Sequence, residues 1–190
     1  GYCDGHGLLS SAEAYTGTGW TPLPPMPHEA DRTTACVLNG RLYVIGGYDS
    51  NKLQVLEMTE ENGLSWSCKA DLPATRRLAA SVAHKDNIWV VGGLVDRQDE
   101  DENGAPRPLP TTSVLRYDPA ADSRSWESAP QLPSADFARG VAFELEGEVH
   151  YVGAGDVLRF RNNDWAVLPS DADPRETHTT FPSAGSVLLG

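Results

Sequence analysis

The sequence predicts an all-β chain of four tandem units, and three observations predict it. No stretch of the 190 residues sustains a 3.6-residue apolar period, so almost no helix is expected. Short apolar runs rich in β-branched and aromatic residues recur, broken by turn dipeptides such as Asn39-Gly40. The chain also repeats itself. Trp20, Trp66, Trp126 and Trp165 are each followed by Met-Pro or Leu-Pro, then an arginine, then two apolar runs and a glycine. From each tryptophan to that glycine (Gly46, Gly92, Gly153 and Gly190) the steps are 26, 26, 27 and 25 residues, and chance does not keep four such distances so close.

The elements of each unit follow in order. A candidate strand precedes each tryptophan: "SAEAY", "LQVLEM", "SVLRYDP" and "DVLRF". The tryptophan opens another, as in "SWSCKADLP", "SWESAPQLP" and "DWAVLP". Arg32, Arg77, Arg139 and Arg175 come after the prolines. Two further strands then pair around a tight turn. In "TTACVLNGRLYVIGG" the turn is Asn39-Gly40, suited to type I′; in the next units it is predicted at Asp86-Asn87 and Glu146-Gly147. The second of these strands ends at Gly46-Gly47 and Gly92-Gly93, where the backbone adopts conformations that side chains oppose. Gly153-Ala154 replaces the pair in the third unit. No Lys-Ser/Thr follows these glycines into a helix, so they are not a phosphate loop.

Four strands in each unit of roughly 40–50 residues is the pattern of a β-propeller blade. The double glycine, the later aromatic and tryptophan, and the Leu-Pro followed by arginine resemble the kelch repeat. The resemblance covers the whole chain and is strongest over residues 20–93. It implies an all-β, kelch-type β-propeller of about four blade-equivalents of four-stranded antiparallel sheets. The units are read as 1–46, 47–92, 93–153 and 154–190 of one propeller segment. Kelch propellers resemble rings of six or seven blades, so a piece of a larger propeller is expected. Its open edges would favour self-association.

Composition narrows the partners. A net charge of −12, from 15 basic and 27 acidic residues, repels phosphate backbones and argues against nucleic acid. No run approaches the ~20 apolar residues of a membrane helix. Cys3, Cys36 and Cys68 show no disulfide or zinc spacing, which favours a reducing, cytoplasmic setting. No metal cluster, cofactor motif or catalytic constellation is visible.

Because strands alternate in direction, the loop into the first strand and the loop joining second to third leave a blade on the same face. The resemblance makes that face the partner-binding surface. Its candidates are Arg32, Arg77, Arg139 and Arg175, with Tyr48, Asp49, His28 and His178 nearby. Guanidinium forks grip carboxylates at two points, so a protein or acidic peptide partner is expected. The acidic and proline-rich insertion at 96–111 is read as a solvated loop. Trp20, Trp66, Trp126 and Trp165 repeat in phase and are expected in the core. So are Trp89 and His150, which take the place of Tyr43. The implied function is a non-enzymatic interaction module, as a ubiquitin-ligase substrate receptor or a cytoskeletal or regulatory adaptor. The alternative is part of a kelch-propeller enzyme such as a sugar epimerase or copper oxidase.

Overall fold

The computed structural model describes residues 1–48, 50–59, 63–100, 106–121 and 125–169, with the backbone alone at 97–100 and 106. Asp49, Arg175, His178 and Gly190 lie outside these residues. A two-residue hairpin, β1 (Tyr2–Cys3) with β2 (Gly7–Leu8), precedes a second hairpin, β3 (Ala12–Tyr15) with β4 (Trp20–Leu23). Three four-stranded antiparallel sheets follow. The first runs β5 (Thr34–Leu38), β6 (Arg41–Ile45), β7 (Leu53–Thr59) and β8 (Gly63–Cys68). The second begins with β9 (Ala80–His84) and β10 (Asn87–Val91). An excursion, β11 (Leu94–Glu100) with β12 (Pro106–Pro110), interrupts it before β13 (Val114–Tyr117) and β14 (Trp126–Ala129) complete it. The third is β15 (Gly140–Leu145), β16 (Glu148–Gly153), β17 (Asp156–Arg161) and β18 (Asp164–Val167). The only helical element among the described residues is a 3-10 turn, Ala135–Ala138. The all-β propeller expectation is borne out, with three complete blades and one outer hairpin described.

Turn chemistry sets the inner hairpins. Asn39 and Gly40 have φ of 50° and 73°, and Glu146 and Gly147 have 53° and 76°, as a type I′ turn requires. In the second blade the turn is Lys85-Asp86 rather than Asp86-Asn87, with φ of 47° and 59°. The register pairs His84 with Asn87, which keeps Val82 and Trp89 opposite one another on the buried face. A one-residue shift would turn that face to solvent.

Blades meet through two devices. The first is a staple by the tryptophan indole. Trp66 Nε1 donates to the Pro24 carbonyl at 2.7 Å, Trp126 Nε1 to Ala70 at 2.9 Å and Trp165 Nε1 to Pro130 at 2.9 Å. Trp165 is buried and Trp66 and Trp126 are half-buried at the seams, but Trp20 is 51% exposed, contrary to the core expectation. Its indole has no preceding four-stranded sheet among the described residues to lie against. The second device is glycine. A Cβ on Gly46 (φ 65°) would sit 2.2 Å from the Arg76 carbonyl of the next blade, and one on Gly92 (φ 62°) 2.6 Å from that of Ala138. Gly153 differs: the backbone bends instead at Ala154 and Gly155, with φ of 54° and 90°. Gly153 remains crowded, 2.8 Å from a Tyr151 ring carbon if given a Cβ.

Two clusters fill the seams. Tyr43, Ile45, Leu53 and Val55 pack with Val90 and Leu115 between first and second sheets. Trp89, Val91 and Val114 pack with Tyr151, Leu158 and Trp165 between second and third. Trp89 and His150, the counterparts of Tyr43, are both buried, as expected of them.

Trp126→Ala removes an inter-blade hydrogen bond and an aromatic contact with Tyr117 at 5.1 Å. It is expected to cost about 3 kcal/mol in urea denaturation, while Trp20→Ala costs under about 1 kcal/mol. A second expectation concerns pH. Burial pushes the Tyr151 phenol up to about 12, and its hydroxyl donates to the Phe137 carbonyl at 2.5 Å. The unfolded chain releases this proton near pH ~10. Between about 10 and about 12 only the unfolded state loses it, so Tyr151's contribution is whole below that window and falls as pH rises through it. Denaturation midpoints of Tyr151→Phe should decline less steeply there.

Candidate partner-binding face

The chemistry gathers where the loops into β5 and β9 meet the loops leaving β6 and β10. Tyr48 follows the double glycine and is anchored by its backbone N–H to the Asp31 carbonyl at 2.7 Å. Two guanidinium groups lie over its ring, Arg77 at 4.7 Å and Arg32 at 5.5 Å from the centroid. Three of the residues predicted from sequence therefore come together in one stack.

The two arginines hold different positions. Arg32 is half-exposed, with Asp31 3.5 Å away. Arg77 is buried; its Nη2 stands 3.3 Å from Asp96 Oδ1, and Thr75 donates to Asp96 Oδ2 at 3.1 Å. Arg77 also makes a two-way backbone bridge with Leu94, at 3.0 and 2.8 Å. The register explains the difference. Arg32 and Leu78 occupy the same place, fourteen residues before Gly46 and Gly92, and both have φ 54°. Arg77 is one residue earlier and faces inward. Arg139, fourteen residues before Gly153 but one residue after the carbonyl that meets Gly93, is exposed after the 3-10 turn with φ −117°. His28 is exposed, and its backbone N–H donates to the buried Gln54 Oε1 at 2.8 Å.

Sequence reading missed Arg76. It stands where the neighbouring blades carry buried Ala30 and Ala138: Gly47 donates to the Arg76 carbonyl at 2.7 Å, as Gly93 does to that of Ala138. Its guanidinium donates to the Gly92 carbonyl at 2.8 Å, and to the carbonyl and hydroxyl of Ser113 at 3.2 Å each. Burial lowers its pKa to about 10, so it stays a cation at neutral pH. The Arg76-Arg77 doublet was the available signal, and choosing its second member hid the first. Asp96 was missed because it falls in the insertion.

The insertion is not an open loop. Residues 94–100 and 106–110 form a paired hairpin. The Thr111 N–H donates inward to the Gly93 carbonyl at 3.0 Å, which turns residues 106, 108 and 110 outward. All three are proline, so the outer edge has no N–H to offer another strand. In the third blade the corresponding connection is only the tight turn at Ala154 and Gly155, which adds nothing to this face. Among the described residues no three His, Cys, Asp or Glu side chains gather as metal ligands.

Removing Arg77 leaves the partly buried Asp96 without its cation. Arg77→Ala is expected to lower stability by about 3 kcal/mol, against under about 1 kcal/mol for the solvent-facing Arg32→Ala. Chemical denaturation separates the two.

Comparison with known proteins agrees with this architecture. The kelch motif model matches residues 31–58, which hold Arg32, both glycines and Tyr48. Kelch-like protein 35 of Mus musculus is 29% identical over 160 residues, covering 80% of this chain and 24% of that protein. Kelch repeat protein M-T9 of Myxoma virus (strain Lausanne) is 28% identical over 105 residues, 54% of this chain and 20% of that protein. Alpha-scruin of Limulus polyphemus is 30% identical over 102 residues, 53% of this chain and 10% of that protein. The chain thus spans about a quarter or less of these relatives' length. The solved structure of YjhT shares the fold, with a TM-score of 0.60 at 18% identity over 76% of this chain and 53% of that one.

Proposed function

We propose, for a chain that belongs to the kelch-repeat family, that the loop face carrying Tyr48 is a non-catalytic docking surface for an acidic segment of a partner protein. The observation that carries this reading is the stack of Arg32, Tyr48 and Arg77. Arg77 is held by Asp96 and steadies the tyrosine. Arg32, over the same ring, is half-exposed and able to turn its fork to an incoming carboxylate. Arg139 offers a second exposed guanidinium at the next blade. On a domain of net charge −12, the exposed guanidiniums of Arg32 and Arg139 are the cations this face offers an acidic peptide.

The face sits on rigid strands and on glycine-fixed turns, so docking needs little reordering. The chain would serve as the recognition part of a cytoplasmic adaptor or ubiquitin-ligase substrate receptor.

Fluorescence anisotropy with acidic peptides tests the proposal. Arg32→Ala with Arg139→Ala should weaken binding at least about tenfold, the effect of losing charge-assisted contacts worth about 1.4 kcal/mol or more. Rising salt should weaken it further. Unchanged affinity in the double variant, with its melting temperature retained, would overturn the assignment of this face.

A further inference from the structure

The loop face holds one side chain that neither its backbone nor the core accounts for. Arg32 and Leu78 occupy the same place on neighbouring blades, both with φ 54°, and the Leu78 N–H donates to the Arg32 carbonyl at 3.0 Å. The two turns therefore interlock. Tyr48 joins them: its backbone N–H bonds the Asp31 carbonyl at 2.7 Å, and its ring lies beneath the guanidinium of Arg77, the residue before Leu78. Arg32, Tyr48 and Leu78 thus meet in one contiguous patch.

Leu78 is the unexpected member. A left-handed backbone suits glycine or asparagine and opposes a branched side chain. Leu78 is 38% exposed and stands outside both hydrophobic clusters, so burial does not offset that strain. The loops on either side of it, residues 28–34 and 134–140, are both in place and leave it open. Strain held at a solvent-facing loop position is a mark of a functional site. In the first blade the same backbone presents a guanidinium at this place, and in the second an aliphatic group. Between them they offer two different chemistries from adjoining turns.

We propose that Leu78 is a specificity-determining contact of this face, taking an apolar side chain of the acidic partner segment while Arg32 takes a carboxylate. The proposal rests on the docking reading above. It narrows the partner from any acidic segment to one in which an apolar residue flanks the carboxylate. An exposed ion pair alone contributes little, because water and salt screen it. An apolar side chain laid on Leu78 and on the partly exposed Tyr48 ring removes apolar surface from water. It also shields the neighbouring guanidinium–carboxylate contact, which strengthens it. The backbone bond from Leu78 to Arg32 fixes the spacing of the two contacts before the partner arrives, so little ordering is left to the moment of binding.

Fluorescence anisotropy on the 190-residue chain tests it, with short acidic peptides in which one leucine is walked through every position, each beside a control with serine in its place. At one position or more the leucine peptide should bind about fivefold or more tighter than its control, the scale of partly burying a leucine side chain. Leu78→Gly, which suits the left-handed turn, should erase that preference and melt no earlier than the wild type. Leu78→Asn carries the same expectation should the glycine variant melt early, and Leu78→Met should keep the preference. Arg32→Ala should instead weaken leucine peptide and control alike. A wild-type chain that binds acidic peptides with no leucine preference overturns this proposal and leaves the docking reading standing. One that binds none of them overturns both. A preference that survives in both Leu78→Gly and Leu78→Asn puts the apolar contact elsewhere and overturns the assignment to Leu78.

Discussion

The seam between one sheet and the next is the constraint on which the rest of the structure depends. A four-stranded sheet has two faces to cover, and a loop-rich chain has no helices to cover them with. It must lay sheet on sheet, and two details make the fit close. An indole reaches across to a backbone carbonyl, as Trp126 does to Ala70. A glycine at the end of the second strand lets the following loop approach to a distance that a Cβ would forbid, as Gly46 does beneath the Arg76 carbonyl. The first supplies direction and the second supplies proximity. Either alone would leave sheets that touch without a fixed angle, or fixed sheets with voids between them.

The loop face proposed for docking is a by-product of those seams. The glycine at the second-strand end is followed by the residue that leaves the sheet, and the loop beneath it is the one that leads into the next blade. Tyr48 and Arg77 therefore come together because the packing has already placed their backbones within hydrogen-bonding reach: Gly47 bonds Arg76, and Tyr48 bonds Asp31. A side chain on either loop needs no further device to be positioned.

The fold was legible because its signals are chemical necessities repeated four times. Tryptophan, proline and glycine keep a spacing that only a repeated junction explains. What stayed hidden depended on context beyond the repeat. Trp20 carries the same local sequence as its equivalents, yet burial belongs to the neighbour rather than to the residue, and so it stands exposed. Lys85-Asp86 takes a positive-φ turn without a glycine because the buried pair Val82 and Trp89 fixes the register more strongly than turn preference does. The insertion reads as disordered by composition. Its prolines instead fall at every outward position of one strand, a spacing of two that protects an edge. On the loop face, the grouping of Tyr48 with Arg32 and Arg77 was recoverable. The part played by Arg76 was not, since only the neighbouring alanines at its position show that a charge there is unusual.

Arg76 also shows how such a scaffold accommodates difference. Ala30 and Ala138 demonstrate that the position asks only for a carbonyl aimed at the glycine of the blade before. The side chain is otherwise unconstrained, and in the second blade it is an arginine that ties three oxygens of its own blade's outgoing and returning loops together. That blade is also the one whose second and third strands are separated by the hairpin β11–β12. A long excursion pulls the two strand ends apart and costs closure entropy. A guanidinium that bonds Gly92, where the excursion departs, and Ser113, where it returns, clamps both ends from within. The blade without an excursion, closed by Ala154 and Gly155, keeps a small alanine at the same place and has no gap to clamp.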